Sequence, residues 1–462
     1  MKHILTALFL LSLITLTANA QNATAQTTTG HADSDTVITL ENVTLIDGTG
    51  AAPRAVHNLV IAGDRIIGID AEPTQNRHAV KFNMQGAYIM PLLNDCHAHL
   101  GLLKDTTMSS ANYTPDNIHG HLLKFETYGV GAILCMGTDH RDIFPLRDAS
   151  RHDSLSGATI YTAGIGFGAS NGMPPVSFGM DQVFRPATPE EARKEVREIA
   201  PYHPDLLKMW IDDNHGKFPK MPPEIYTAII DEAHKQGLRV AAHLYYLEDA
   251  RKLVAAGLDI MAHSIRDKEI DADLLQAMKR KGVVYIPTLS LDEFAYSYAD
   301  DPEWLKDPFF QASLEPGVYN MITSAAYRNK VAKDPATPQE QAALQVALKN
   351  LKKIYDAGIL VAMGTDAGAQ PIRTMGFSEH MEMQLMVSAG LTPLQAITVA
   401  THNGAILLRA DKETGTLQVG KKANFIILSK DPTEDIRNSR TIIGIMKNGK
   451  RVSGGPLADA AR

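Results

Sequence analysis

Two histidines two residues apart, His97 and His99 in Asp95-Cys96-His97-Ala98-His99-Leu100, close an apolar run. In an extended strand such residues share a face, so both imidazoles point one way while Cys96 and Ala98 point the other. That pair can clamp a metal ion; taken alone it can equally be two surface histidines. Four further polar residues interrupt or end apolar runs: Lys208 inside Leu206-Leu207-Lys208-Met209-Trp210-Ile211, His243 after Val240-Ala241-Ala242, His263 after Ile260-Met261-Ala262, and Asp366 after Val361-Ala362-Met363-Gly364-Thr365. A buried ammonium at Lys208 is costly without a partner. Deprotonated, that amine is a nucleophile for carbon dioxide, and the resulting carbamate can bridge two divalent ions; the plainer alternative is a lysine snorkelling from an edge strand. One histidine closing a strand is usually a hydrogen-bonded core residue, whereas imidazoles ending adjacent barrel strands must lie close together.

The elements that must bring these residues together are short apolar runs alternating with helical stretches. Eight such runs occur: AYIMPLLNDCHAH, VGAILCMG, ATIYTAG, LLKMWID, LRVAAHLY, DIMAHS, VVYIPTL and ILVAMGTDA. Helical periodicity is clear in PEEARKEVREIA, PEIYTAIIDEAHKQ, LEDARKLVAA and DADLLQAMKRK. This pattern predicts an α/β fold, a (β/α)8 TIM barrel over residues 89–410. The candidate residues then sit at the C-terminal strand ends, the face on which barrel enzymes place their sites. On either side, residues 36–88 and 411–462 alternate β-branched residues with turn signals at Ala62-Gly63-Asp64 and Lys447-Asn448-Gly449. Neither piece has enough strands alone, which predicts one small β-sandwich domain formed from both chain ends.

The chain has 462 residues, enough for a barrel and an accessory domain, with 44% hydrophobic and 21% charged residues, as ordinary globular domains have. Lys and Arg number 45 against 52 Asp and Glu, a net charge of −7 with no basic stripe, so nucleic acid is not an expected partner. Only Cys96 and Cys135 occur, which excludes a disulfide framework and a thiolate zinc cluster. Residues 1–20, MKHILTALFLLSLITLTANA, have the charged start, apolar run and small-residue end of a signal peptide, and polar residues 21–35 form a flexible leader. The mature protein is therefore expected to be soluble, without a membrane anchor, and secreted or periplasmic. The oligomeric state, including a homo-oligomer, is left open.

The set His97, His99, Lys208, His243, His263 and Asp366 resembles the binuclear metal site of the amidohydrolase superfamily, in the family's order and over nearly the whole mature chain. Departures are Pro91-Leu92-Leu93-Asn94-Asp95, where members usually carry Pro-Gly-Leu-Ile-Asp, and Asn424, where an aspartate is common. Carried over residue by residue, the resemblance implies that His97, His99 and Asp366 hold one divalent ion, His243 and His263 a second, and carbamylated Lys208 bridges them. Zinc suits these ligands, with manganese, cobalt or nickel as substitutes. The implied chemistry is attack by a metal-activated bridging hydroxide, with Asp366 as general base and then general acid.

His243-Leu244-Tyr245 and Ala262-His263-Ser264 look like the imidazolonepropionase-like and Xaa-Pro dipeptidase (prolidase-like) branch, in which the tyrosine corresponding to Tyr245 contacts substrate. Arg266 could pair with a substrate carboxylate, or with Asp267 or a helix residue. The aromatic segment SLDEFAYSYADDPEWLKDPFF is open to two readings, a roof over an apolar pocket or packing for inserted helices. The Gly164-Ile165-Gly166 loop lacks a histidine often found there, and no helix with a ribose-binding acid follows as a dinucleotide site needs. These features predict a secreted, metal-dependent amidohydrolase releasing the C-terminal amino acid from a dipeptide or N-acyl amino acid. The same site could instead open a cyclic amide, lactone or organophosphate; a metal-free binding protein on the same barrel is the alternative from another class.

Overall fold

The computed structural model describes residues 37–71 and 79–454, so the expected signal peptide and leader lie outside the described residues. The two chain ends meet in one eight-stranded sheet. Its N-terminal strands are Val37–Leu45, Arg54–Ala62, Arg65–Ile69, Ala79–Asn83 and Tyr88–Pro91; its C-terminal strands are Phe425–Leu428, Ile442–Lys447 and Lys450–Arg451. The ends are stitched where Phe425–Leu428 runs antiparallel to Tyr88–Pro91. Both predicted turns are present, and at the second Asn448 and Gly449 take φ of +48° and +71°, the left-handed pair that a two-residue hairpin needs.

In place of two layers, the hydrogen bonds describe a single curled sheet. Its far edge returns to the C-terminal segment through Ile66 N–H to Lys421 O (2.9 Å) and Ala423 N–H to Asp64 O (2.7 Å). Leu40, Leu59, Ile66, Ile89 and Phe425 fill the interior of the curl.

The first predicted apolar run divides. Tyr88–Pro91 belongs to the terminal sheet, while Leu93–Ala98 pairs in parallel with Val130–Cys135. The switch falls at Leu92, whose N–H reaches Asn424 O, while the next N–H reaches Gly129 O. The terminal sheet thus extends to residue 91 rather than 88.

Leu93–Ala98, Val130–Cys135 and Thr159–Thr162 form one parallel sheet; Leu207–Trp210, Val240–His243, Ile260–Ala262 and Val284–Ile286 form another. The eighth run forms no continuous strand. It makes single parallel bridges, Val361 to Tyr285 and Ala367 to Ala98, because Asp366 at φ +60° interrupts regular extension. Phe167 bridges Met209 in the same way.

The four predicted helices are observed as Pro189–Ile199, Pro223–Lys235, Leu247–Ala256 and Ala272–Lys281. Two start on sequence-legible caps: the Thr188 and Asp271 side chains accept the N–H of Glu191 and Leu274. In the aromatic segment, Phe294, Tyr298, Phe309 and Phe310 are buried and Trp304 packs edge-on against Phe310, so these rings serve as packing rather than a roof. Cys96 and Cys135 are both buried and unpaired. Among the described residues no helix is long and apolar enough to cross a membrane.

Candidate active site

All six residues singled out for metal chemistry come together. His97 lies in the Leu93–Ala98 strand and His99 follows it directly, Lys208 lies in Leu207–Trp210, His243 ends its strand, His263 follows Ile260–Ala262 directly, and Asp366 closes the irregular eighth run. Ligand atoms of His97, His263 and Asp366 all lie within 4.8 Å of one another. Asp366 Oδ1 is 2.8 Å from His99 Nε2 and 3.3 Å from His97 Nε2. Lys208 Nζ is 3.3 Å from His97 Nε2, and the His263 ring centroid is 4.3 Å from those of both His97 and His243.

Burial sets the electrostatics. Lys208 is wholly buried and has no carboxylate within 4.0 Å among the described residues, and desolvation lowers its amine to about 7. Burial likewise pushes His97 and His263 well below the ordinary imidazole value. Burial would raise the Asp366 carboxyl, but Arg373 and the two imidazoles hold it well below the usual carboxylate range. Arg373 donates from Nη1 to Asp366 Oδ2. Backbone strain gathers here too, because His263 has φ +85°, Asp366 +60° and Thr288 +52°. Left-handed φ is uncommon outside glycine and persists where surrounding contacts over-determine it.

The strand ends are tied from behind. Asp95 accepts from His97 N–H (2.9 Å), Thr365 N–H (3.2 Å) and the Thr365 hydroxyl (2.5 Å), coupling the first strand to the turn that carries Asp366. Glu379 packs behind this pair; burial and the nearby Asp95 charge keep its carboxyl well above the ordinary range, and burial raises Asp95 to about 6. Close backbone approach explains Gly364: a Cβ there would lie 2.6 Å from His97 Cβ and 2.5 Å from Ile286 Cγ2.

A cavity of about 280 Å³ opens over the cluster. Met108, Met173, Met180 and Trp210 form an apolar wall, and Tyr245, Arg266, Arg373 and Glu340 supply polar groups. Tyr245 and Arg266 therefore line the cavity as expected. Asp267 is not the partner of Arg266, since it accepts Leu247 N–H. Arg266 Nη1 instead lies 3.0 Å from Asp292 Oδ1 on the Leu289–Tyr296 helix, one of the alternatives left open. The contact balances charge without aligning as a hydrogen bond, which leaves Arg266 Nε and Nη1 without hydrogen-bond partners.

Sequence reasoning passed over Asp212 and Arg373. Asp212 Oδ2 is 2.9 Å from His243 Nε2, and that imidazole outweighs burial to hold the carboxyl well below its ordinary range. It is a polar residue just past the Leu207–Trp210 strand, so the criterion that found His263 would have found it. Arg373, in a loop seven residues after Asp366, carries no such positional signal.

With this geometry in place, comparison with known proteins is decisive. A sequence profile described as "Amidohydrolase family" matches residues 88–452, well over half of the chain. The chain belongs to the amidohydrolase family. It is accordingly a hydrolase of carbon–nitrogen bonds acting on small-molecule amides. It is similar to an ochratoxinase of Aspergillus niger, 25% identical over 470 residues that cover 90% of this chain and 88% of the relative. A shorter stretch of 78 residues is 36% identical to imidazolonepropionase of Brevibacillus brevis, covering 17% of this chain and 18% of that enzyme. In fold it resembles a Xaa-Pro dipeptidase solved with methionine in its active site, with a TM-score of 0.71 and 22% identity over 91% of this chain and 100% of the other. Imidazolonepropionase and Xaa-Pro dipeptidase are the namesakes of the branch that Tyr245 and its neighbours suggested.

Members of the amidohydrolase family use divalent metal ions, and the donors fit such ions. Imidazole nitrogens and a carboxylate oxygen converge within 4.8 Å of one another, and beside them stands a buried amine whose burial favours the uncharged form.

Proposed function

We propose that this amidohydrolase is an exported, zinc-dependent enzyme that cleaves a dipeptide or an N-acyl amino acid and releases the C-terminal amino acid. The observation that carries the reading is the convergence of His97, His263 and Asp366 within 4.8 Å, with Lys208 Nζ 3.3 Å from His97. The barrel is read as a closed (β/α)8 ring, supported by the bridges at Phe167–Met209, Tyr285–Val361 and Ala98–Ala367. Beside it, the curled terminal sheet plays the part of the family's β-sandwich. Residues 1–20 direct export.

His97, His99 and Asp366 would hold one ion, His243 and His263 the other, and Lys208, carbamylated on its neutral amine, would lie between them. When bound, the ions supply Lewis acidity for the scissile carbonyl and a nucleophile from water at neutral pH. The chain's own residues do the rest. Asp366 takes a proton at a carboxylate oxygen and returns it to the leaving nitrogen. Its neighbour Arg373 keeps that carboxylate ionised before the reaction.

Arg266, charge-balanced by Asp292 but with unpaired N–H groups, offers its fork to the substrate carboxylate, and Tyr245 lies against it with the guanidinium 5.1 Å from the ring centre. The Met108, Met173, Met180 and Trp210 wall takes an apolar side chain or acyl group.

The test is a panel of Xaa-Pro and other dipeptides, N-acyl amino acids, lactones and phosphotriesters, run on purified protein before and after chelation and with zinc restored. Chelator-sensitive release of the C-terminal amino acid is the expected result. Zinc-dependent turnover of lactones or phosphotriesters alone would overturn the substrate assignment, and chelator-insensitive turnover would overturn the metal.

A further inference from the structure

Thr288 stands at the N-cap position of the Leu289–Tyr296 helix and does not act as a cap. A threonine there ordinarily turns its hydroxyl back to accept an N–H of the first turn. In this protein that task is taken by another helix: the Glu382 carboxylate accepts Leu289 N–H (2.8 Å) and Ser290 N–H (2.7 Å). The Thr288 hydroxyl is released and lies 2.7 Å from His263 Nδ1. Its backbone sits at φ +52°, ψ +50°, a conformation for which a β-branched residue is a poor choice. Its hydrogen-bond partner His263 is itself at φ +85°. Both are buried, Thr288 at 0% and His263 at 1% exposure. Two strained residues from neighbouring strand ends are thus tied through one bond, in a place where glycine or asparagine would relieve the backbone.

We infer that Thr288 is a positioning residue: its hydroxyl grips Nδ1 of His263, locks the ring, and leaves Nε2 as the nitrogen presented to the His97–Asp366 cluster. Glu382 makes this arrangement workable by capping the helix in its stead. The inference deepens the proposed metal site and rests on that reading for its functional consequence. Its structural core, the fixed imidazole, does not depend on a metal.

The experiment compares Thr288→Val, which keeps the branched shape and removes the hydroxyl, with Thr288→Ser, which keeps the hydroxyl, and Thr288→Gly, which relieves the backbone and removes the hydroxyl. Folding is checked by circular dichroism, and zinc affinity of the full chain is measured by competition with a chromophoric chelator. Loss of such an outer hydrogen bond typically weakens metal binding by roughly 10- to 100-fold. That loss is expected for Thr288→Val and Thr288→Gly, with Thr288→Ser within about threefold of the parent. Wild-type zinc affinity in folded Thr288→Val overturns the inference, and so does equal weakening in Thr288→Ser. Side-chain ¹⁵N spectra of metal-free protein give the independent readout: the His263 signals should shift and broaden in Thr288→Val and stay put in Thr288→Ser. A parent protein that binds no zinc would defeat the metal-site reading; unchanged His263 signals in Thr288→Val would defeat the role of Thr288.

Discussion

The tetrapeptide Met-Gly-Thr-Asp occurs twice, as Met136-Gly137-Thr138-Asp139 and Met363-Gly364-Thr365-Asp366. The two copies flank the strand that carries His97 and His99, and both touch it: Met136 N–H donates to Ala98 O, and Cys96 N–H donates to Met363 O. Their aspartates nevertheless end in opposite roles. Asp366 N–H turns back to His97 O (2.7 Å) at φ +60°, which carries its carboxylate to the imidazoles. Asp139 N–H goes to Gly164 O (3.3 Å), and its carboxylate accepts from the Tyr113 (3.0 Å) and Thr162 (2.5 Å) hydroxyls. One acid is held ionised by Arg373; the other, raised by burial to about 7, keeps its proton into the neutral range. The threonines diverge as well: Thr138 meets His99 Nδ1 at 2.7 Å, while Thr365 meets Asp95. Identical local chemistry becomes a site residue or a packing residue according to which neighbouring strand end receives its backbone N–H.

The largest effect that would separate the copies is catalytic. Asp366→Asn should lower kcat/KM on the best amide substrate by about 10²- to 10⁴-fold, the range for removal of a general acid–base group. Asp139→Asn should stay within a few-fold of the parent, and comparable losses in both would erase the distinction drawn here.

The glycines come next. A methyl at Gly137 would sit 2.8 Å from Lys208 Cβ on a residue at φ +87°, whereas Gly364 has the overlap with His97 and Ile286 without a left-handed φ. Overpacking costs about 1–3 kcal/mol, and the left-handed backbone adds roughly 1–2 kcal/mol. Urea unfolding should therefore show Gly137→Ala as the less stable variant; the reverse order would refute the strain argument.

Smaller still is Thr365→Val, which deprives buried Asp95 of one donor and should lower stability by about 1–3 kcal/mol. An unchanged urea midpoint would mean that Asp95 is satisfied without it.

The mildest test uses pH. Asp139 rises from 3.8 to about 7 on folding, because burial outweighs its hydrogen bonds. The folded state therefore binds more protons than the unfolded state between these values, so this group's contribution is present below pH 4 and is lost as pH rises towards 7. Asp139→Asn should flatten that fall relative to the parent when urea midpoints are compared across pH 4.5–7.5, and parallel curves would show that Asp139 does not carry it.

Much of the site was legible because strand-end chemistry leaves a one-dimensional trace: an apolar run followed at once by His, Lys or Asp. That trace placed His97, His99, Lys208, His243, His263 and Asp366. Partners lying across space leave none. Asp292 reaches Arg266 from a helix 26 residues on, and nothing in the local sequence marks Glu379 and Glu382, whose carboxylates the Phe377–Ser388 helix buries completely. The divided first run was hidden for a related reason. Tyr88–Pro91 and Leu93–Ala98 are both apolar, and their separation depends on which backbone groups lie alongside.

Residue types and their order along the chain were thus enough for the α/β class of fold, the four named helices, the hairpin turns and the six polar residues gathered at the strand ends, since these depend on short-range periodicity and on strand direction. Which of two identical tetrapeptides faces the site, which acid neutralises Arg266, and whether Thr288 caps a helix or grips a histidine all depend on contacts between distant segments. Hydrogen bonds and burial act through space, and residues with the same local sequence acquire different chemistry once the folded chain gives them different neighbours.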